Sequence, residues 1–205
     1  MASSRYIITL LIIVAISLLA GCNTKTFETK EELWSYLKNP ENGYQQAKTI
    51  NGVTYSLTFK PTDLLVKQEL NSTYSKEDVE SLRTKYRDYL YFILSISTNN
   101  QEILSKKVSN RAEFGAMVSQ LAFGMGDKVN LITFNKDTLD LLDYVYPRMY
   151  GMSNSTDLLL VYKKNDDVLS QQSLRFTLED LGLGSGEVGF NIDPEKILQQ
   201  PSLSF

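Results

Sequence analysis

Apolar and polar residues alternate along several stretches of this chain, and a period of two marks strands with one buried and one wet face. Val53, Tyr55, Leu57 and Phe59 fall on one side of a run whose other side carries Thr54, Ser56, Thr58 and Lys60. Asn51-Gly52 stands just before it, and both residues tolerate the positive φ of a tight type I′ turn, so residues 45–60 are predicted to form a hairpin. Residues 90–97 are nearly continuous in apolar character and predict a buried strand ending at Asn99-Asn100. Residues 129–134 and 139–146, joined by Asn135-Lys136-Asp137, predict another hairpin. Residues 158–162 and 174–178 read as two more strands separated by a polar Asn165-Asp166-Asp167 turn. Val188, Phe190 and Ile192 alternate in a last strand.

Helical signals lie between these runs. Thr29-Lys30-Glu31-Glu32 has the spacing of a capping box, in which a hydroxyl and a carboxylate satisfy the free amides of a first turn. Leu33, Trp34 and Leu37 continue that helix until Asn39-Pro40. Ser75 and Asp78 repeat the capping pattern ahead of Val79, Leu82, Tyr86 and Tyr89. Phe114, Met117, Val118, Leu121, Ala122 and Met125 recur at helical spacing, with Gly124 and Gly126 at the end. Asp193-Pro194-Glu195 opens a terminal helical turn. Together these predict an α+β fold: an antiparallel sheet or β-sandwich with two or three packed helices, occupying residues 29–205 as one domain.

Composition narrows the chemistry. The chain has no histidine and a single cysteine, Cys22. Without imidazole there is no Ser-His-Asp triad, no Cys-His pair and no histidine ligand for zinc. Catalysis would be left to carboxylates, tyrosine or Ser-Lys chemistry, and no cofactor or metal is expected. The 21 basic residues face 24 acidic ones, and one of the basic residues, Arg5, lies in the N-terminal leader. A mildly acidic chain lacks the basic footprint of a nucleic-acid binder.

The leader itself has three parts. Arg5 and the amino terminus carry positive charge, residues 6–19 are almost wholly apolar, and small residues follow. This is the layout of an export signal and is short for a membrane span, which needs roughly 20 apolar residues. The exit, Leu19-Ala20-Gly21-Cys22, resembles the lipobox of bacterial lipoproteins at all four positions. The resemblance implies that residues 1–21 are a signal peptide, that the Cys22 thiol accepts a diacylglyceryl thioether, and that cleavage leaves Cys22 as the first residue. Two or three acyl chains anchor a protein stably, at ~0.8 kcal/mol per buried methylene. Asn23, where an Asp would indicate retention in the inner membrane, implies sorting to the outer membrane, with the domain facing the periplasm. Residues 22–28 are then a short lipidated tether.

The most unusual segment downstream is residues 143–152. It places Tyr144, Tyr146, Arg148, Met149 and Tyr150 where a connection between strands should be polar. These residue types are enriched at binding interfaces because they combine large contact area with a polar handle. The same residues would also serve to close one end of a sandwich, and both readings stand. Gly182-Leu183-Gly184-Ser185-Gly186 lacks the Lys-Ser/Thr ending and following helix of a phosphate loop, and reads as a mobile turn. Asp137, Asp140, Asp143 and Asp157 gather near strand ends. A carboxylate pair could hydrolyse a glycosidic bond, although turns collect Asp for local hydrogen bonding.

The expectation is therefore a non-enzymatic, lipid-anchored envelope protein that binds another envelope protein, as a component of a secretion or assembly machine. Glycan or peptidoglycan binding is the alternative, and carboxylate-dependent hydrolysis a third. The first of these turns on one thiol. Cys22→Ser is expected to abolish incorporation of labelled palmitate and to release the protein from the membrane fraction; wild-type protein purified with an unmodified thiol would refute the anchor.

Overall fold

The computed structural model describes residues 24–164 and 166–205. The expected signal peptide and the expected lipidation position, Cys22, lie outside the described residues, as does Asn165.

The chain opens with β1 (Thr26–Phe27) and α1 (Lys30–Lys38). The expected capping box is formed: the Thr29 hydroxyl accepts from the Glu32 N–H at 3.2 Å, and the Glu32 carboxylate accepts from the Thr29 N–H at 3.3 Å. The hairpin β2 (Gln45–Ile50) and β3 (Val53–Phe59) follows. Asn51 and Gly52 take φ of 50° and 75° at its tip, as the turn requires. Next come α2 (Thr62–Glu69), α3 (Lys76–Tyr86), β4 (Tyr89–Thr98) and β5 (Gln101–Glu102). Then α4 (Arg111–Phe123) leads to β6 (Val129–Thr133), β7 (Thr138–Leu139), β8 (Leu141–Val145) and β9 (Thr156–Lys163). The chain closes through α5 (Asp166–Leu169), β10 (Leu174–Leu178), β11 (Val188–Ile192), α6 (Pro194–Leu198) and β12 (Ser202–Leu203).

This is an α+β fold with two antiparallel sheets. The larger runs β2-β3-β4-β9-β8, with β5 hung on β4; the smaller runs β11-β10-β6-β7. Inward residues of both belong to one contiguous core, in which Tyr55, Phe92, Leu94 and Leu160 of the large sheet join Leu131, Phe176 and Phe190 of the small one. The sheets are also joined at their margins. Asp140 separates β7, on the small sheet, from β8, on the large one, so a single extended run turns a corner between them. At the opposite margin the side chains of Gln46 and Lys48 on β2 donate to the carbonyls of Asn191 and Gly189 on β11.

Asp63 fastens the chain ends to this body. Its buried carboxylate accepts from Arg83 Nε at 2.8 Å, from Arg83 Nη2 at 2.7 Å and from the Leu203 N–H at 2.8 Å. One side chain thus ties α2, α3 and β12. Strand β12 pairs in parallel with β1, and the Ser202 N–H donates to the Lys25 carbonyl at 2.9 Å.

Several expectations are corrected here. The segment expected as a tether, residues 22–28, is strand at Thr26–Phe27, because the C-terminal residues supply a hydrogen-bonding edge distant in sequence. The run 129–146 is a hairpin only over two residue pairs, Leu131 with Leu139 and Ile132 with Thr138, and residues 141–145 pair instead with β9. The strands β9 and β10 are in different sheets, and Asp166–Leu169 between them is a short helix rather than a turn. Helix α2 went unpredicted. Its first turn buries Asp63, Leu64, Leu65 and Val66 in succession, so it shows no amphipathic stripe.

A buried lysine makes stability depend on pH. Lys60 is 5 % exposed and donates to Gln68 Oε1 at 2.7 Å; burial pushes its pKa down to about 8 from 10.5. Between these values the unfolded chain holds a proton that the folded chain has released, so stability rises with pH across that window. Tyr44, raised from 10.0 to about 12 by burial, acts oppositely above pH 10. Urea midpoints are therefore expected to climb from pH 8 to 10 in the wild type, and Lys60→Met is expected to flatten that climb.

Candidate functional site

Strand β8 delivers Tyr146 to Pro147, which has no N–H to continue a ladder. The chain then folds back in a turn closed by the Met152 N–H donating to the Met149 carbonyl at 3.0 Å. Its central residues, Tyr150 and Gly151, have φ of 53° and 84°. Glycine takes this conformation freely, whereas a tyrosine there costs roughly 1–2 kcal/mol through its Cβ.

What holds the turn is Glu102. The side chain is 2 % exposed, and its Oε1 accepts from the Gly151 N–H at 2.9 Å and the Ser153 N–H at 3.2 Å. Its own position follows from the sheet. A turn at Asn99 and Asn100, with φ of 51° and 58°, folds β5 back on β4 so that Glu102 pairs with Ser97. The next residue is fixed as well, because the Ile103 N–H donates to Thr156 Oγ1 at 3.1 Å. A buried carboxylate thereby takes the place of solvent beneath an exposed loop.

Under the loop lies a cavity of about 250 Å³. Phe114 and Val118 of α4 form one wall, Leu104 and Val108 another, and Tyr146 and Tyr150 the third, with Arg148 and Glu102 as the charged lining. The Tyr146 hydroxyl is buried and makes no hydrogen bond. Burial raises its pKa and the nearby Glu102 carboxylate adds to the rise, partly offset by Arg148; the phenol stays neutral and can both donate and accept. Around the mouth, Tyr150 is 79 % exposed, Met152 78 % and Val108 71 %. Large apolar side chains this exposed are uncommon as a contiguous cluster on a folded domain. The cavity is smaller than the roughly 300–1,000 Å³ of small-molecule sites. It suits one apolar side chain.

The five residues singled out in this segment divide. Tyr146, Arg148 and Tyr150 line the cavity, and Met149 opens the turn above it. Tyr144 is set apart: it packs against the core, and its hydroxyl accepts from the Met125 N–H at 3.4 Å. Glu102 was missed, since nothing in its local sequence distinguishes it from a surface carboxylate. Phe114 and Val118 carried a usable signal. The apolar face of α4 is too wide for a buried stripe, and only Met117 and Leu121 of the helix are buried, leaving those two half-exposed as cavity wall.

Elsewhere, Asp143 Oδ1 accepts from the Tyr144 N–H and Asp157 Oδ1 accepts from the Ser155 hydroxyl. Asp157 lines a groove on the large sheet. The glycine-rich turn, expected to be mobile, is held on both sides. Asp180 accepts from the N–H groups of Leu183 and Gly184 at 2.8 and 3.1 Å, while Asn51 Nδ2 donates to the Gly184 carbonyl and the Tyr55 hydroxyl bonds to Ser185 Oγ.

No family model and no curated protein matches the chain. A solved structure from Burkholderia pseudomallei, described as a novel protein of unknown function, resembles it at 13% identity over 81% of this chain and 86% of that one, with a TM-score of 0.41. That likeness is too weak to define a shared fold.

Glu102→Ala would strip the loop of its acceptor. Unfolding free energy is expected to fall by about 2–3 kcal/mol, and amide exchange at Gly151 and Ser153 to accelerate. Unchanged exchange at both amides would show that the loop is held by other means.

Proposed function

We propose that this chain is a lipid-anchored envelope protein that binds a second envelope protein through the loop and cavity at residues 146–151, in a non-enzymatic role as part of a larger assembly. The observation that carries the reading is an exposed Tyr/Met/Arg loop standing over an apolar cavity of about 250 Å³. A partner's apolar side chain would fill that cavity and cover the exposed Tyr150.

The anchor rests on the lipobox resemblance at Leu19-Ala20-Gly21-Cys22, and the same resemblance supports placement in the outer membrane facing the periplasm. Among the described residues no helix is long and apolar enough to cross a membrane. Lys25 and Thr26 already belong to the folded body, three and four residues after Cys22 in the sequence. At about 3.3–3.6 Å per extended residue, the domain would sit within roughly 10 Å of the lipid surface. A tether so short favours partners that are themselves at the membrane.

A photo-crosslinking residue at position 150, in intact cells, is expected to give one discrete protein adduct, whereas the same residue at Lys76 on α3 gives none. Val118→Phe, at a half-buried position on the cavity wall, separates recognition from folding. It fills the cavity from α4, so stability is expected to hold within about 1 kcal/mol, while the adduct formed from position 150 falls severalfold. An adduct unaffected by that change would remove the cavity from the proposal.

A further inference from the structure

The strand alternation that builds the core leaves the opposite face of the large sheet open, and that face is hydroxyl-rich. Ser56 on β3, Ser95 on β4 and Asp157 on β9 lie directly opposite one another across three strands. Thr54 and Ser97 form the next pair, and Thr58 and Ile93 the one before. Neighbouring strands are about 4.8 Å apart, so these rows set out polar groups at regular intervals over roughly 10 Å. Among the described residues, no hydrogen bond within the chain engages the side-chain hydroxyls of Ser56, Ser95 or Ser97.

Helix α1 walls this face. Leu33 and Leu37 turn into the core, while Glu31, Trp34, Ser35 and Lys38 line the groove. The groove is open to solvent and has a volume of about 740 Å³, within the usual range for ligand sites. Trp34 remains half-exposed, its ring 5.9 Å from the Lys38 ammonium. Serine in the centre of a sheet is a poor strand former beside Thr, Val or Ile, and here it keeps the floor low enough for the groove to exist.

We infer that this groove binds a neutral glycan of pyranose units. A pyranose has an apolar C–H face and a rim of hydroxyls. The indole offers a flat apolar platform for the former, and the serine and aspartate rows offer donors and acceptors for the latter. The charged lining is Glu31, Lys38 and Asp157, without the basic excess that an anionic polymer would need. This inference goes beyond the protein-partner reading and is separable from it, since no residue lining the groove lines the 250 Å³ cavity.

Trp34 is the chain's only tryptophan, so its emission reports on the groove directly. Full-length lipoprotein in detergent is titrated with chitotetraose and, separately, with cellotetraose. The expected result is a saturable change in Trp34 emission with at least one of them. Affinity should fall at least tenfold in Ser95→Leu, which fills the floor, and stay unchanged in Tyr150→Ala. Ser56→Leu serves the same purpose should the first variant lose its native unfolding midpoint. No saturable change with either sugar, or one that survives both leucine variants undiminished, overturns the inference. So does a crosslinker at Ser95 that captures a polypeptide in cells.

Discussion

Everything in this molecule is referred to strand β4, whose ten residues hydrogen-bond to β3 on one side and to β9 and β5 on the other. Leu90, Phe92, Leu94 and Ile96 project to one face and are at most 1 % exposed. Each fully buried side chain of this kind stabilises the fold by about 1.5–3 kcal/mol. Because the period is two, a slip of one residue would send all four to solvent and bring Ile93, Ser95 and Ser97 inward. Burial therefore sets the register. The register in turn decides which polar groups face outward together, so the hydroxyl rows opposite the core are a geometric consequence of the same constraint.

The small sheet, the helices and the chain ends are arranged around that strand by a few directional contacts. Gln46 and Lys48 bridge one margin, the corner at Asp140 closes the other, and Asp63 draws two helices and the C-terminal strand together. The Arg83 guanidinium meets the Asp63 carboxylate in a two-pronged arrangement that fixes orientation as well as distance. Its mechanical consequence reaches the N-terminus. Thr26 and Phe27 are paired with Ser202 and Leu203, so a pull on the N-terminal strand would pass into the β1–β12 pair and from there to Asp63 and the core.

The apolar cavity and the hydroxyl-rich groove meet in one stretch of backbone. Ser153 donates its N–H to Glu102 beneath the apolar cavity, and Asn154 and Ser155 line the hydroxyl-rich groove. Both depend on the short hairpin that places β5 beside β4. Its two asparagines with positive φ, Asn99 and Asn100, position the carboxylate that holds the loop, and Asn100 itself lines the groove.

Local patterns carried much of the fold. The alternation over residues 53–59, the Asn51-Gly52 turn and the capping residues Thr29 and Ser75 are satisfied within a few residues of themselves, and each forms as its pattern implies. The resemblance at Cys22 likewise depends on four adjacent residues. Elements whose partners lie far along the chain were illegible. Thr26–Phe27 is a strand because Ser202–Leu203 lies beside it, β8 leaves its expected hairpin because β9 offers a longer edge, and α2 is buried along a face that no periodicity announces. The candidate site divides the same way. Its tyrosines and arginine stood out by residue type, but Glu102, 49 residues from Gly151, became part of it only when folding placed a desolvated carboxylate under two free amides. A hydrogen bond between distant residues has no local periodicity to betray it, and its energy exists only once water has been excluded from both partners.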